Sequence, residues 1–216
     1  DTKGAIVANW PADGVAIING DQAGSEQWAE RAAPARGIRV GFSADVDVRA
    51  GDIELMGFDG SRFILNGLGA PLAVTTAIPG RQGVFNALVA AAVARVLGVS
   101  DRAIQQGLAT VTPAPGRGLS HALPDDTILI DDSYNANPLS VRAAIDVLAN
   151  SGHQRCLVLG SMLELGKQSV DAHAEVGAYA RARGIQSLWC VGSDTVPAAE
   201  ALAEGAPYFN DCAALL

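Results

Sequence analysis

The chain has 216 residues, of which 49% are hydrophobic and only 5% are aromatic, and its formal net charge is −8 at pH 7. This length accommodates two domains of ordinary size, and a core that depends on aliphatic side chains favours layered α/β structure. The acidic balance argues against nucleic acid as a partner, because proteins that bind phosphate backbones carry clustered Lys and Arg.

The sequence also bears on the cellular compartment. It holds no run of about 18 apolar residues that could cross a membrane, and it does not open with the charged-then-apolar pattern of a signal peptide. We therefore expect no membrane insertion and a cytoplasmic location. The cysteines, Cys156, Cys190 and Cys212, are odd in number and are predicted to be buried thiols rather than a disulfide framework. Because the chain opens at Asp1 without methionine, we expect a fragment of a longer protein.

The first half of the chain changes its pattern midway. Residues 14–41 have the order strand, helix, strand, whereas residues 45–78 alternate with period two between glycines, which is typical of antiparallel strands. Two helices are predicted next, over residues 84–97 and 101–108. Two prolines and a glycine in residues 113–116 then interrupt the pattern, and we place a domain boundary there, after residue 112.

The second half alternates strands and helices. Strands are predicted at TILID, CLVLG and SLWCV, and each precedes a helical pattern, over residues 139–148, 170–183 and 195–204. This alternation predicts right-handed crossovers and a parallel sheet with helices on both faces. Ligands of such sheets bind beyond the carboxyl ends of the strands, so the loops after these strands are candidate binding loops.

The first of these loops is unusually polar. Residues 131–138, DDSYNANP, contain two carboxylates, a hydroxyl, a phenol and two carboxamides, a density of hydrogen-bonding groups that suits recognition of a polar ligand. The same segment is also typical of a helix cap, with Asn137 at the N-cap and Pro138 in the first turn. The pattern alone leaves both interpretations open.

Four segments, at residues 2–21, 79–100, 131–148 and 158–180, match known motifs. In that order they are similar to an A-K-G-E-I-F block with the strand after it, a G-x-H-N-x-x-N-A-L-A-A helix, a D-S-Y-N-A-N-P loop and an M-L-E-L-G loop. Through these motifs the chain resembles the Mur ligases, the ATP-dependent amide-bond ligases of bacterial cell-wall synthesis. The segments occur in family order and span nearly the whole chain. The D-S-Y-N-A-N-P sequence most resembles the members that add D-alanyl-D-alanine, since siblings that add diaminopimelate or lysine differ there.

The resemblance implies a three-domain enzyme of the α/β class. Residues 1–112 would form the latter part of the central ATP-binding domain, and residues 113–216 a Rossmann-like, parallel-sheet C-terminal domain. The implied reaction adds D-alanyl-D-alanine to UDP-MurNAc-tripeptide through an acyl phosphate, with ATP and Mg²⁺ as cofactors and a monomeric enzyme. The chain itself holds no phosphate-binding loop, because GSMLELGK has the wrong spacing and Gln168 in place of Ser or Thr, so we expect it to be inactive alone.

Two alternatives to this function are kept. The first is a non-catalytic α/β module that binds a ligand or a partner protein, which would account for the missing phosphate-binding loop. The second is a sibling ligase such as folylpolyglutamate synthase.

The resemblance assigns roles to residues of the first half. Lys3, a predicted catalytic residue, matches a lysine that is carbamylated in the family, and a carbamate would hold Mg²⁺ at the phosphates. Asn86 matches an asparagine expected to contact the nucleotide near its base and ribose. Gln82 and Gly83 depart from the family pattern, because they stand where His and Asn are usual.

The resemblance also assigns roles in the second half. Arg117, the other predicted catalytic residue, matches the arginine at the domain joint that reaches ATP, and its planar fork of donors suits phosphate oxygens. Asp132 matches a carboxylate that binds the ribose. Tyr134, Asn135 and Asn137 would contact the incoming dipeptide.

Other residues are given no chemical role. His173 falls in a helix of the family, whereas His121 and His153 match nothing in it, and we expect all three to be structural or solvated. Ser161 stands where the family usually has Asp, which weakens any charged role for the M-L-E-L-G loop.

Overall fold

The computed structural model describes residues 4–152, 154–202 and 206–215. The chain divides into two compact units, Asp1–Thr112 and Pro113–Leu216, each with its own hydrophobic core. Two residues discussed above, Lys3 and His153, lie outside the described residues.

The first unit is built on one five-stranded sheet. Its elements are β1 (Val15–Asn19), α1 (Ser25–Arg31), β2 (Arg36–Gly41), β3 (Val48–Leu55), β4 (Ser61–Asn66), β5 (Leu72–Thr76), α2 (Gly80–Val96) and α3 (Asp101–Ala109), with short 3-10 turns at Gly4–Val7 and Gly57–Asp59. The strands lie in the order β1-β2-β3-β4-β5, parallel from β1 to β3 and antiparallel from β3 to β5. The predicted change from α/β to antiparallel organisation is confirmed.

Helix α2 packs on this sheet through its apolar side. Val84 and Leu88 are fully buried and share a core with Phe63 of β4. The helix begins at Gly80 rather than at the predicted residue 84, with Pro79 as its N-cap residue. The difference arises because the first turn is polar, so the apolar periodicity that predicts a helix begins only one turn later.

The second unit has two separate sheets. Its elements are β6 (Leu119–Ala122), β7 (Ile128–Asp131), α4 (Pro138–Ala149), β8 (Cys156–Gly160), α5 (Ser169–Ala182), β9 (Ser187–Val191), α6 (Val196–Leu202), β10 (Tyr208–Phe209) and α7 (Cys212–Leu215), with 3-10 turns at Gly166–Gln168 and Ser193–Thr195. Strands β8, β9 and β10 form a parallel sheet in the order β10-β9-β8. This confirms the α/β class and the parallel sheet.

The pairing of β7, the TILID strand, corrects one expectation. It pairs antiparallel with β6, not in parallel with β8 as the alternating pattern predicted. The turn between β6 and β7 explains the difference, because Asp125 and Asp126 both take positive φ values, 61° and 56°, which close a local hairpin. Because β6 and β7 are close in the sequence, pairing them costs little loop-closure entropy.

The prediction of helices on both faces of the parallel sheet is wrong for the described residues. Leu159, Leu188 and Cys190 share one core with helices α4, α5 and α6. On the opposite face, Val158 and Trp189 lie in register and are 50% and 39% exposed. The crossovers from β8 to β9 and from β9 to β10 advance in the same direction along the sheet. Crossovers of the same hand that advance in the same direction place their helices, here α5 and α6, on the same face.

The cysteines are free thiols, but only one is buried. Cys190 is buried on β9, whereas Cys156 and Cys212 are exposed, so the prediction of buried thiols is wrong for those two. Cys156 begins β8 with its side chain on the open face of the sheet. Among the described residues, the helices are too short or too polar to span a bilayer.

A glycine of helix α5, Gly177, provides a test of the packing between α5 and α6. Gly177→Ala is expected to destabilise the second unit by about 1–3 kcal/mol, because overpacking strains a close contact. The added methyl would lie 2.1 Å from the carbonyl oxygen of Ala198 on α6. Urea denaturation followed by circular dichroism gives the free energy of unfolding, and amide hydrogen exchange assigns the change to a unit.

The matched control is Gly107→Ala in helix α3. A methyl at Gly107 meets nothing within 4 Å, so this change is expected to stabilise the first unit by roughly 0.5–1 kcal/mol through helix propensity. A Gly177→Ala protein as stable as the parent would contradict the close packing of α5 against α6.

Candidate functional site

One carboxylate joins two loops of the second unit. We call residues 115–118 the arginine loop and residues 131–137 the polar loop. One oxygen of Asp131 accepts hydrogen bonds from the backbone N–H and the hydroxyl of Ser133, at 3.2 and 2.6 Å. Its other oxygen accepts from the backbone N–H of Gly116 at 3.1 Å. Asp131 therefore fixes the start of the polar loop and ties it to the arginine loop.

Backbone hydrogen bonds complete this junction. The N–H of Tyr134 donates to the carbonyl of Gly116 at 3.0 Å, and the N–H of Gly118 donates to the carbonyl of Asp131 at 2.8 Å. Gly116 has a φ of +73°, and a Cβ there would lie 3.0 Å from the backbone nitrogen of Tyr134. Glycine meets both demands without strain. Arg117 is thus carried on a loop whose backbone is held on both sides.

The side chain of Arg117 lies over the ring of Tyr134. Its Cζ is 4.0 Å from the ring centroid, which is a cation–π contact. Arg117 and Tyr134, which the sequence assigned to different ligands, are therefore brought together.

The two neighbouring carboxylates of the polar loop differ in character. The hydroxyl and the backbone N–H of Ser133 donate hydrogen bonds that lower the pKa of Asp131, and the N–H of Gly116 lowers it by a smaller amount. Partial desolvation of Asp131 acts in the opposite direction but does not outweigh these hydrogen bonds. Partial desolvation and the charge of Asp131 raise the pKa of Asp132, and the positive charge of Arg117 opposes that rise. Asp131 is committed to holding the loops, whereas Asp132 keeps oxygens available for a ligand.

The importance of Asp131 was missed by sequence reasoning, which selected Asp132. A signal was present, because Asp followed two residues later by Ser is typical of a turn in which the carboxylate caps the backbone. The sequence could not show that the same carboxylate also reaches the arginine loop, fifteen residues earlier.

The structure confirms that Asn137 caps helix α4. Its side-chain oxygen accepts from the N–H groups of Leu139 and Ser140, both at 3.0 Å, and the Ser140 hydroxyl accepts from the N–H of Asn137. The amide hydrogens of Asn137 are what remains for a ligand. Asn135 is exposed on the same loop.

Asn86 lies on the exposed side of α2, in the first unit. Gln82, one turn earlier, donates from its amide nitrogen to the side-chain oxygen of Asn86 at 3.1 Å. Gly83 is buried, and a Cβ there would lie 2.4 Å from the carbonyl oxygen of Ile78. The departures from the family pattern thus have local reasons: Gln82 orients Asn86, and Gly83 permits a close backbone approach.

A second carboxylate organises the loops near the start of α2. Asp21, beyond the end of β1, accepts from the hydroxyl of Ser43 at 2.6 Å and from the N–H groups of Phe42 and Ser43. Burial acts to raise the pKa of Asp21, but these hydrogen bonds and the charge of Arg81 lower it overall. The Cζ of Arg81 lies 3.9 Å from the ring centroid of Phe42.

His173 holds the loop that follows β8. The ring is fully buried, its Nε2 accepts from the N–H of Met162 at 3.0 Å, and its Nδ1 lies 2.7 Å from the carbonyl oxygen of Ser169. These bonds require a neutral ring with the proton on Nδ1. The expected structural role of His173 agrees with this geometry.

The described residues do not form a metal centre. No group of three or more His, Cys, Asp or Glu side chains in this part of the chain is placed to hold a metal ion. The predicted metal ligand, Lys3, lies outside it.

Comparison with known proteins identifies relatives of both units. The family described as "Mur ligase middle domain" matches residues 1–94, and the family described as "Mur ligase, glutamate ligase domain" matches residues 119–214. The UDP-N-acetylmuramoyl-tripeptide--D-alanyl-D-alanine ligase of Escherichia coli (strain K12) is 35% identical over 215 residues, 99% of this chain and 47% of that protein. The protein of the same name from Synechocystis is 33% identical over 207 residues, 95% of this chain and 42% of that protein.

Solved structures agree with these sequence relatives. A crystal structure of MurF from Acinetobacter baumannii superposes with a TM-score of 0.86 at 29% identity, covering 96% of this chain and 45% of that one. The MurF ligase of Thermotoga maritima in complex with ADP shares the fold, with a TM-score of 0.80 at 18% identity over 97% of this chain and 47% of that one. The chain thus spans about half the length of the relatives it matches. Since both of its units match domains of one family and its relatives align along nearly its whole length, this chain belongs to the Mur ligase family.

Proposed function

We propose that the chain forms part of the nucleotide and dipeptide site of a ligase that adds D-alanyl-D-alanine to UDP-MurNAc-tripeptide, driven by ATP, in peptidoglycan precursor synthesis. The observation that carries this proposal is the junction at Asp131, where Arg117 contacts the ring of Tyr134 and its charge acts on the carboxylate of Asp132. Relatives that are 35% and 33% identical to the chain are named for that activity.

The proposed reaction has two transfers. A carboxylate oxygen of the tripeptide attacks the γ-phosphorus of ATP, and ADP leaves with the electrons of the broken bond. The amine of D-alanyl-D-alanine then attacks the acyl carbon and loses a proton, and inorganic phosphate leaves. The protein's task is to bind, orient and stabilise developing charge.

Arg117 is suited to bind the phosphates of a nucleotide, and Asp132 is suited to bind its ribose. The guanidinium presents a fixed fork of N–H donors, which would stabilise the charge that develops on phosphate oxygens. The ionised carboxylate of Asp132 has two oxygens, which would accept from the two ribose hydroxyls. In the first unit, taken by itself, Asn86 is the proposed nucleotide contact, with amide hydrogens that Gln82 orients.

The polar loop would contact the dipeptide. Tyr134 is 68% exposed and Asn135 is also exposed, so both side chains are accessible to a ligand. Asn137 would contribute its amide hydrogens, because its oxygen is used by helix α4.

Lys3 is the one residue of the chain that we propose as a ligand of Mg²⁺. A bound Mg²⁺ would neutralise charge on the phosphates, and carbamylated Lys3 is the residue proposed to hold it. The described residues add no further set of metal ligands. The proposal also includes a monomeric enzyme in the cytoplasm, where the free thiols of all three cysteines are stable.

The dipeptide assignment is tested by titration of the chain. D-Alanyl-D-alanine is expected to shift the backbone amide resonances of Asn135 and Asn137 in two-dimensional NMR spectra. L-Glutamate, the substrate type of a folate-polyglutamylating ligase, is expected to leave them in place. Shifts with L-glutamate alone would favour the sibling ligase, and no shift with either ligand would remove the polar loop from the dipeptide site.

The role of Arg117 is tested by a substitution that keeps its charge. In the ligase that contains this chain, Arg117→Lys is expected to lower the rate of ADP release by about 10²-fold, because lysine lacks the planar fork that fits phosphate oxygens. Arg102→Lys on helix α3 is the matched control and is expected to keep the parental rate. Equal rates for the two variants would remove Arg117 from the reaction.

The opposite pKa directions of the two aspartates give a test of their separate roles. Carboxyl ¹³C NMR is expected to show Asp131 titrating below 3.8 and Asp132 above it. Ser133→Ala is expected to raise the pKa of Asp131, because it removes the hydroxyl that donates to it, whereas Ser120→Ala on β6 leaves the pKa unchanged. A Ser133→Ala protein with the parental Asp131 titration would show that this hydroxyl does not stabilise the anion.

The same shifts set the sign of the pH dependence of stability. Because the pKa of Asp131 is lowered, its contribution to stability is present above pH 3.8 and is lost as the pH falls through the lowered pKa. The pKa of Asp132 is raised, so its contribution has the opposite sign and is lost as the pH rises through the raised pKa.

A further inference from the structure

We propose that Tyr134 is a positioning residue for Arg117 and that this one ring links the nucleotide and dipeptide sides of the site. The identities of the two ligands rest on the proposed function above. The contact between the two side chains does not, because it is a distance between two residues of the chain itself.

Both partners of this contact are held at their backbones. The N–H of Tyr134 donates to the carbonyl of Gly116, the residue before Arg117, at 3.0 Å. Asp131 adds a hydrogen bond from the other side of the same peptide segment, through the N–H of Gly116. The Tyr134 ring and the Arg117 guanidinium, with Cζ 4.0 Å from the ring centroid, therefore project from two loops that are joined by hydrogen bonds.

Burial does not explain the placement of the Tyr134 ring. The residue is 68% exposed, and a ring that contributed mainly to a core would be covered. The other tyrosine with a cation over its ring, Tyr179, also donates its hydroxyl to Asp146 at 2.7 Å. Within the described residues, the hydroxyl of Tyr134 has no such acceptor, so its face holds a cation while its hydroxyl stays available.

The geometry lets the ring orient Arg117 without competing for its hydrogen bonds. A cation–π contact holds the guanidinium through its charge and engages no lone-pair acceptor, so the N–H donors of Arg117 stay available for phosphate oxygens. An exposed arginine loses side-chain freedom when it binds a ligand, and a ring that holds it beforehand reduces that loss. An exposed cation–π contact of about 0.5–1 kcal/mol corresponds to roughly a two- to fivefold change in affinity.

The two functions of Tyr134 can be separated by two substitutions. Tyr134→Phe keeps the ring and removes the hydroxyl, so KM for ATP is expected to stay at the parental value while KM for D-alanyl-D-alanine rises. Tyr134→Leu removes the ring, so KM for ATP is expected to rise about two- to fivefold as well. Tyr208→Leu on β10 is the matched control for loss of a half-exposed tyrosine and is expected to change neither KM.

A double substitution shows whether the effect passes through Arg117. In an Arg117→Ala background, Tyr134→Leu is expected to cause no further change in the dissociation constant for ATP, measured by calorimetry. A full two- to fivefold loss in that background would overturn the positioning role, because it would mean that the ring acts on the nucleotide directly.

The resonance of the Arg117 Nε–H proton reports the contact without any ligand. A ring-current shift is expected in the parental chain and in Tyr134→Phe, and it is expected to be lost in Tyr134→Leu. An unshifted parental resonance overturns the positioning role whatever the activity. Failure of the parental chain to bind D-alanyl-D-alanine would instead count against the proposed function, since the Arg117 resonance requires no ligand.

Discussion

The hydrogen bonds accepted by Asp131 are the constraint on which the candidate site depends. They come from two segments that are distant in sequence, Ser133 in the polar loop and Gly116 in the arginine loop. A carboxylate that accepts several hydrogen bonds is favoured as the anion, and this lowers its pKa. The positions of Arg117 and Tyr134 follow from that anion, because each is carried on a loop that it holds.

The first unit uses the same device at a different place. Asp21 follows β1 and accepts from the loop after β2, just as Asp131 ends β7 and accepts from the arginine loop. In both units an arginine makes a cation–π contact with an aromatic ring of these loops, Arg81 with Phe42 and Arg117 with Tyr134. Each unit therefore presents an oriented guanidinium next to a loop fixed by an aspartate.

The local sequence pattern was sufficient to predict much of the structure. It failed for features that are determined by contacts between residues distant in the sequence. Helix α4 and its cap at Asn137 were predictable because the polar group and the backbone it satisfies are neighbours in sequence. The antiparallel pairing of β7 with β6 was not predictable, because the hydrophobic pattern of a strand does not determine which strand it pairs with. The bond from Gly116 to Asp131 and the stacking of Arg117 are contacts between loops, and no periodicity records them.

The cap at Asn137 also gives the polar loop a direction. Since its oxygen already accepts two hydrogen bonds from the first turn of helix α4, the side chain of Asn137 has only its amide hydrogens left to offer. The positive end of the helix dipole adds to the same polarity. A chemical group that reaches Asn137 from solvent must therefore be a hydrogen-bond acceptor, and an ammonium group would be unfavourable there.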